Sequence, residues 1–168
     1  MNEIVLVYRQ FQHPTLLGLL EEKYVVKRLW EVSDKNKFIE NHCLNVRAMV
    51  TDHLGASEKL IKLFPQLKII SNFGVGIDSV DVDYATQKGI QVTNTPDVLT
   101  DDVADLAIAL LVSVARSIPE GDRFVREGIW KERIMRFTKS LSGKKIGILG
   151  MGRIGQAIAK RAEAFRLH

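Results

Sequence analysis

Gly150-Met151-Gly152-Arg153-Ile154-Gly155 spells G-x-G-x-x-G. The string alone is a weak signal. Here it follows Lys144–Leu149, which ends apolar and β-branched, and it opens a helical pattern in which Ile154, Ala157, Ile158, Ala162 and Phe165 recur at helical spacing. A strand, a glycine turn and a helix are what phosphate binding by backbone amides requires. Gly150 permits the tight turn, and Gly152 lets a pyrophosphate approach the backbone. Gly155 lets the helix pack close to the strand. The unpaired amides at the start of the helix, around Arg153 and Ile154, would donate to the phosphates along a favourable dipole. Gly-Lys-Ser/Thr is absent, so the string is not a P-loop. The residue that selects between NAD and NADP falls about 20 positions beyond such a turn, past His168.

A second glycine cluster, Asn72-Phe73-Gly74-Val75-Gly76-Ile77-Asp78, follows an apolar strand pattern. Open α/β sheets place ligands at the carboxyl ends of strands, so the amides of Val75 and Gly76 could hold a carboxylate. The residues alone fit a ligand loop and a structural turn equally well. Asp78 reads as a helix cap rather than a catalytic group. The histidines are His13, His42, His53 and His168. His53 follows the third strand pattern but reads as a polar loop residue, and His42 beside Cys43 lacks convergent metal-ligand spacing. No metal site is expected. Cys43 reads as structural, and Trp130 as an anchor for the segment around it.

These groups must be positioned by alternating elements. Strand patterns lie at Ile4–Val7, Val25–Leu29, Val46–Thr51, Leu67–Ser71 and Ile90–Thr93, with a sixth at Lys144–Leu149. Helical patterns near 14–20, 34–43, 56–64 and 79–88 separate the first five. Ser57 or Asp52 would cap the third helix, and Asp78 or Ser79 the fourth. Short apolar strands alternating with helices predict an α/β protein with a parallel sheet covered on both faces. Asn94-Thr95-Pro96 stops the fifth strand and marks a change of domain near residues 94–100. A long helix follows, capped by Thr100 or Asp101, its body running from Val103 to Ile118. It is apolar around most of its surface and needs cover on more than one side. Residues 120–128 can form a further helix, and 129–142 read as an irregular arm.

Composition bounds the remaining classes. The chain has 168 residues, 46% hydrophobic and 26% charged, the profile of a folded soluble protein. A single cysteine builds no disulfide framework and fits a reducing, cytoplasmic setting. No secretory leader is expected. The longest apolar run, Leu106–Val112, is far short of a membrane span. The net charge of +4 comes from 24 basic and 20 acidic residues, with basic side chains concentrated at Lys131, Arg133, Arg136, Lys139, Lys144 and Lys145. Few aromatics interleave and no nucleic-acid-binding motif is present, so a solvated basic connection is expected rather than a nucleic-acid face.

Four ordered blocks resemble the D-isomer-specific 2-hydroxyacid dehydrogenase family, in its branch of hydroxyphenylpyruvate, hydroxypyruvate and glyoxylate reductases. They are Gly74–Asp81, Val92–Asp105, Gly128-Ile129-Trp130 and Leu141–Gly155. The resemblance covers residues 71–165 well and 1–70 more loosely. It implies a flavodoxin-like substrate-binding domain at 1–96, lacking a final helix returned from the far C-terminus. Residues 97–168 would then begin a truncated Rossmann domain. By resemblance, Val75 and Gly76 bind the substrate carboxylate, and Thr100 and Val103 approach the cofactor. Gly150, Gly152, Arg153, Ile154 and Gly155 meet the pyrophosphate of NADP or NAD, with the branch leaning to NADP. The activity implied is reduction of a small 2-oxo acid in the complete protein. The long helix and arm imply a homodimer. The family's catalytic arginine, glutamate and histidine would all fall after residue 168, so no catalytic residue is assigned here and the chain alone is expected to be inactive. The alternative is a non-catalytic fragment that dimerises or binds partners through residues 101–140.

Overall fold

The computed structural model describes residues 3–8, 10 and 14–168. The chain divides into two compact units, Met1–Pro96 and Asp97–His168.

The first unit is a five-stranded parallel sheet in the order β2-β1-β3-β4-β5. The strands are β1 (Ile4–Val7), β2 (Val25–Arg28), β3 (Val46–Thr51), β4 (Ile69–Asn72) and β5 (Gln91–Thr93). Between them run α1 (Pro14–Glu21), α2 (Lys35–His42), α3 (Glu58–Ile61) and α4 (Val82–Gln87). The strand order is that of the flavodoxin-like doubly wound fold. Burial explains which sequence takes which place. The interior strand β1 is Ile-Val-Leu-Val and buried along its length, whereas edge strand β2 carries Lys27 and Arg28 and alternates between exposed and half-buried. One face of the sheet carries the larger core, in which Leu6, Met49, Ile61, Phe64 and Ile70 are almost fully buried. Each such side chain contributes roughly 1.5–3 kcal/mol relative to exposure. The other face has a smaller cluster of Val5, Val7 and Val50, with Leu17, Leu20, Val26, Trp30 and Ala48 packed against it. Beside it the sheet opens into a cavity of about 850 Å³ that reaches Leu16, Leu20, Ala48, Val50, Ile69 and Phe73.

The caps differ in part from the expected ones. Ser57 caps α3, accepting from the Leu60 amide at 3.4 Å. Asp52 instead accepts from the Leu54 amide at 2.9 Å, an Asx turn at the end of β3. Asp81, not Asp78 or Ser79, caps α4 by accepting from the Tyr84 amide at 3.0 Å. The Ala56–Val80 bridge holds residue 80 extended, so α4 cannot start before 82.

The second unit contains α5 (Thr100–Arg116), α6 (Ile118–Arg126) and α7 (Arg153–Ala164). Neither Thr100 nor Asp101 caps α5. The capping position is Leu99, which makes no side-chain cap bond, and Thr100 is the first helical residue. Ser117 in the left-handed conformation (φ 52°) ends α5, one residue before Ile118-Pro119 begins α6. Residues 144–149 form no ladder with another strand among the described residues, and Leu149 lies in a bend. Their described partner is the chain end, where His168 donates to the Lys144 carbonyl and accepts from the Ile146 amide, both at 2.9 Å. That is one parallel pairing, too little for a strand. The core of this unit is Ile108, Ala162 and Leu167, flanked by Leu111, Val112, Leu141, Ile146 and Ile158. Arg161 of α7 pairs with both Asp101 and Asp105 of α5. These hydrogen bonds, to Asp101 first and then Asp105, hold its guanidinium pKa above the ordinary value. Among the described residues no helix is long and apolar enough to cross a membrane.

Candidate functional site

The candidate site residues lie mainly on two loops, one in each unit. In the first unit β3 and β4 pair in parallel up to Thr51–Asn72, so the segments that follow leave the same sheet edge side by side. Both terminal side chains are buried and each holds the loop that follows it. Thr51 Oγ1 donates to the Gly55 carbonyl at 2.7 Å, and Asn72 Nδ2 donates to the Gly76 carbonyl at 2.8 Å. The two loops are laced together. The Ala56 amide donates to the Ser79 carbonyl, and the Asp81 amide to the Ala56 carbonyl. Gly55 sits at φ +65° where an added Cβ would lie 2.0 Å from the Ser79 carbonyl oxygen, so this close approach admits only glycine.

Val75 and Gly76 therefore lie together in a loop fixed at both ends. Asn94 Nδ2 donates to the Val75 carbonyl at 2.8 Å, and the Thr95 amide donates to the Gly74 carbonyl at 3.0 Å. Among the described residues the amides of Val75, Gly76 and Ile77 donate to no protein group. Free, clustered backbone N–H groups can receive an anion. Sequence reasoning named Val75 and Gly76 and missed Asn72, Asn94 and the Ile77 amide. The available signal was a polar asparagine ending an otherwise apolar strand, directly before a glycine cluster.

In the second unit the glycine turn has the geometry its spacing implies. Gly150 lies at φ +95°, a conformation L side chains rarely adopt. A Cβ on Gly155 would lie 2.0 Å from the Gly150 carbonyl oxygen, so α7 packs against the turn only because that position is glycine. A Cβ on Gly152 would meet nothing within 4 Å, which leaves open space where a phosphate would approach. Gly152 is the N-cap of α7 and supplies no side-chain cap, so the first-turn amides, those of Arg153 and Ile154 included, are uncapped. This donor set and this open space fit a pyrophosphate. The Arg153 guanidinium pairs with Asp97 Oδ1 at 2.9 Å. Asp97 is itself left-handed (φ 67°), and its carbonyl accepts from the Thr100 amide at 3.4 Å. The glycine turn and the start of α5, with half-buried Thr100 and partly exposed Val103, are thus linked through Asp97, a residue not singled out from sequence.

The other reactive side chains do not converge. His53 is 82% exposed and lies 3.6 Å from Asp52. His42 packs against the Phe38 ring at 5.0 Å between centroids. His13 lies outside the described residues. Cys43 is half-buried against the main core. No group of three or more metal-ligating side chains occurs among the described residues. Trp130 is 57% exposed and so is not buried as an anchor. The basic stretch is partly committed within its own unit, with Arg136 paired to Glu120 at 2.6 Å and Arg133 over the Phe124 ring.

Comparison with known proteins adds the family context. The profile for "D-isomer specific 2-hydroxyacid dehydrogenase, catalytic domain" matches residues 5–165. The chain is 49% identical over 147 residues to a glyoxylate/hydroxypyruvate reductase A of Arabidopsis thaliana, spanning 87% of this chain and 47% of that protein. It is 47% identical over 147 residues to a hydroxyphenylpyruvate reductase of Plectranthus scutellarioides, again spanning 87% and 47%. Among solved structures, an NADPH-dependent glyoxylate/hydroxypyruvate reductase of Sinorhizobium meliloti superimposes with a TM-score of 0.86 at 39% identity, spanning 98% of this chain and 52% of that one. The chain spans about half the length of the relatives it matches.

Proposed function

Because this chain belongs to the D-isomer specific 2-hydroxyacid dehydrogenase family, we propose that it forms the amino-terminal part of a reductase acting on a small 2-oxo acid such as glyoxylate, hydroxypyruvate or hydroxyphenylpyruvate. The observation that carries this reading is the pairing, in one chain, of a loop with free amides at Val75 and Gly76 and a glycine turn shaped for a pyrophosphate. The reductase relatives support the substrate class.

In this reading residues 1–96 are the substrate-binding domain and 97–168 begin the cofactor-binding domain. The Val75 and Gly76 amides hold the substrate carboxylate. Gly150, Gly152 and Gly155 leave room for the dinucleotide backbone, and the amides of Arg153 and Ile154 donate to its phosphates. Arg153 exchanges Asp97 for phosphate, while Thr100 and Val103 border the cofactor. The cofactor is NADP or NAD, with NADP favoured by the NADPH-dependent S. meliloti relative. When bound, the reduced nicotinamide supplies the hydride. The arginine, glutamate and histidine of the family's chemistry are assigned to the part of the relatives that this chain does not span. The 168-residue chain is therefore inactive alone and the complete protein is a homodimer. The open face of the sheet, with its cavity of about 850 Å³, accepts the helix that the resemblance returns from the far C-terminus.

The test compares this chain with a version extended by the remaining domain of the Arabidopsis relative. The extended protein should consume NADPH with glyoxylate or hydroxypyruvate, and the 168-residue chain should not. An extended, folded protein with no turnover on any of the three 2-oxo acids would remove the proposal. A second reading, a non-catalytic dimerising segment, is favoured by the exposed apolar stripe Leu106, Leu110 and Val114 on α5. A dilute, folded monomer in light scattering would eliminate it.

A further inference from the structure

Three consecutive carbonyls in the β4–α4 connection are each engaged. Gly74 accepts from the Thr95 amide at 3.0 Å, Val75 from Asn94 Nδ2 at 2.8 Å, and Gly76 from Asn72 Nδ2 at 2.8 Å. All described peptide bonds are trans. In a trans peptide the C=O of one residue and the N–H of the next point in opposite directions. Anchoring the carbonyls of 74, 75 and 76 therefore turns the amides of Val75, Gly76 and Ile77 the other way, and among the described residues these amides have no protein partner. Because a carbonyl only accepts, the Gly76 contact fixes which end of the Asn72 amide faces it. The opposite end, Oδ1, is buried with no hydrogen-bond partner among the described residues, in a side chain that is 0% exposed. A leucine would fill similar space without that unpaired acceptor, so what asparagine contributes here is its hold on the loop.

The neighbouring strand supplies the contrast. Thr51 clamps the Gly55 carbonyl in the same way, but the next amide, Ala56, is spent on the Ser79 carbonyl at 3.1 Å. The β3 clamp closes a loop, whereas the β4 clamp leaves donors open.

Resting on the carboxylate reading of this loop, we propose that Asn72 and Asn94 are positioning residues that aim three amides at the substrate carboxylate, Ile77 providing the third. Asn94 is exposed, so its replacement leaves the fold intact. The test is a titration of the ¹⁵N-labelled chain with glyoxylate, against chloride at matched ionic strength. The Val75, Gly76 and Ile77 amide signals should shift saturably. Asn94→Ala and Asn72→Leu should each weaken binding about five- to tenfold, the order of one hydrogen bond's net worth. Asn94→Gln, which keeps an NH₂ donor, should recover part of the loss. Thr51→Val should lower the unfolding midpoint and leave glyoxylate affinity unchanged. Wild-type affinity in folded Asn94→Ala, or an equal loss of affinity in Thr51→Val, overturns the assignment while leaving the carboxylate site standing. No saturable shift in the wild-type chain removes the carboxylate reading, and the assignment with it.

Discussion

At the residue scale the glycine turn separates two roles that one motif string merges. Gly155 is a packing residue, since its absent Cβ would lie 2.0 Å from the Gly150 carbonyl oxygen. Gly152, proposed above to border the pyrophosphate, has φ −74° and nothing within 4 Å of an added Cβ. Gly155→Ala should therefore destabilise the second unit by about 1–3 kcal/mol, the usual cost of overpacking a tight contact. Gly152→Ala should change stability by less than about 0.5 kcal/mol, the range of open surface positions, yet weaken NADPH binding. Urea unfolding and NADPH fluorescence titration check both, and an equal stability loss in the two variants would refute the division. These glycines were legible because their spacing is local. Asn94 on the Val75 carbonyl and Asp97 on Arg153 were not, because such contacts join residues far apart in sequence and depend on where the fold brings the chain back.

At the element scale the first unit was largely legible. β1 and β3 fall on the expected residues, and the apolar β1 reads as an interior strand because all four of its residues are buried. Helix starts were less legible. Asp52, Asp78, Ser79 and Thr100 are all competent caps by type, but the β3 turn, the Ala56–Val80 bridge and the Leu99 cap decide among them. The sixth strand pattern is a different case. Lys144–Leu149 carries a strand's sequence pattern, but a strand is defined by its partners, and among the described residues its one pairing is with His168. What joins this unit is the α5–α7 contact, with Arg161 set against Asp101 and Asp105 beside Ile108 and Ala162. The raised guanidinium pKa signifies that the charged form is favoured in the folded state. That stabilisation is complete below the ordinary arginine pKa and is lost only as pH rises through the higher folded value. The clamp should thus respond to salt rather than to mild alkali. Arg161→Met, which keeps an apolar stem, should lower the urea midpoint of the second unit in low salt, with the difference shrinking as salt screens the pair. A difference independent of ionic strength would show that Arg161 acts through packing alone.

At the scale of the whole molecule the two units are unequal. The first has a large core in which many side chains reach near-zero exposure, while the second has Ile108, Ala162 and Leu167 as its buried apolar cluster. The second also leaves Leu106, Leu110 and Val114 exposed along α5, with Ile134 at 87% and Phe137 at 101% exposed in the arm. A small core beside exposed apolar side chains is the arrangement of a unit completed by another surface, and contiguous patches of this kind mark association sites. The apolar excess of α5 was visible in the sequence. Its stripe was not, because only the packing against α7 shows which side remains bare. In the homodimer proposed above, a second copy covers that stripe. Amide exchange in α5 should then slow as protein concentration rises, while exchange in β1, β3 and β4 should not depend on concentration. Leu110→Lys with Val114→Lys changes exposed positions only, so it should leave the first unit's protection intact and abolish the concentration dependence in α5. Hydrogen exchange read by mass spectrometry at several dilutions measures both. Concentration-independent exchange in α5 of the wild-type chain would mean that the stripe is not a self-association surface in this chain, and the homodimer would then have to be built from other residues.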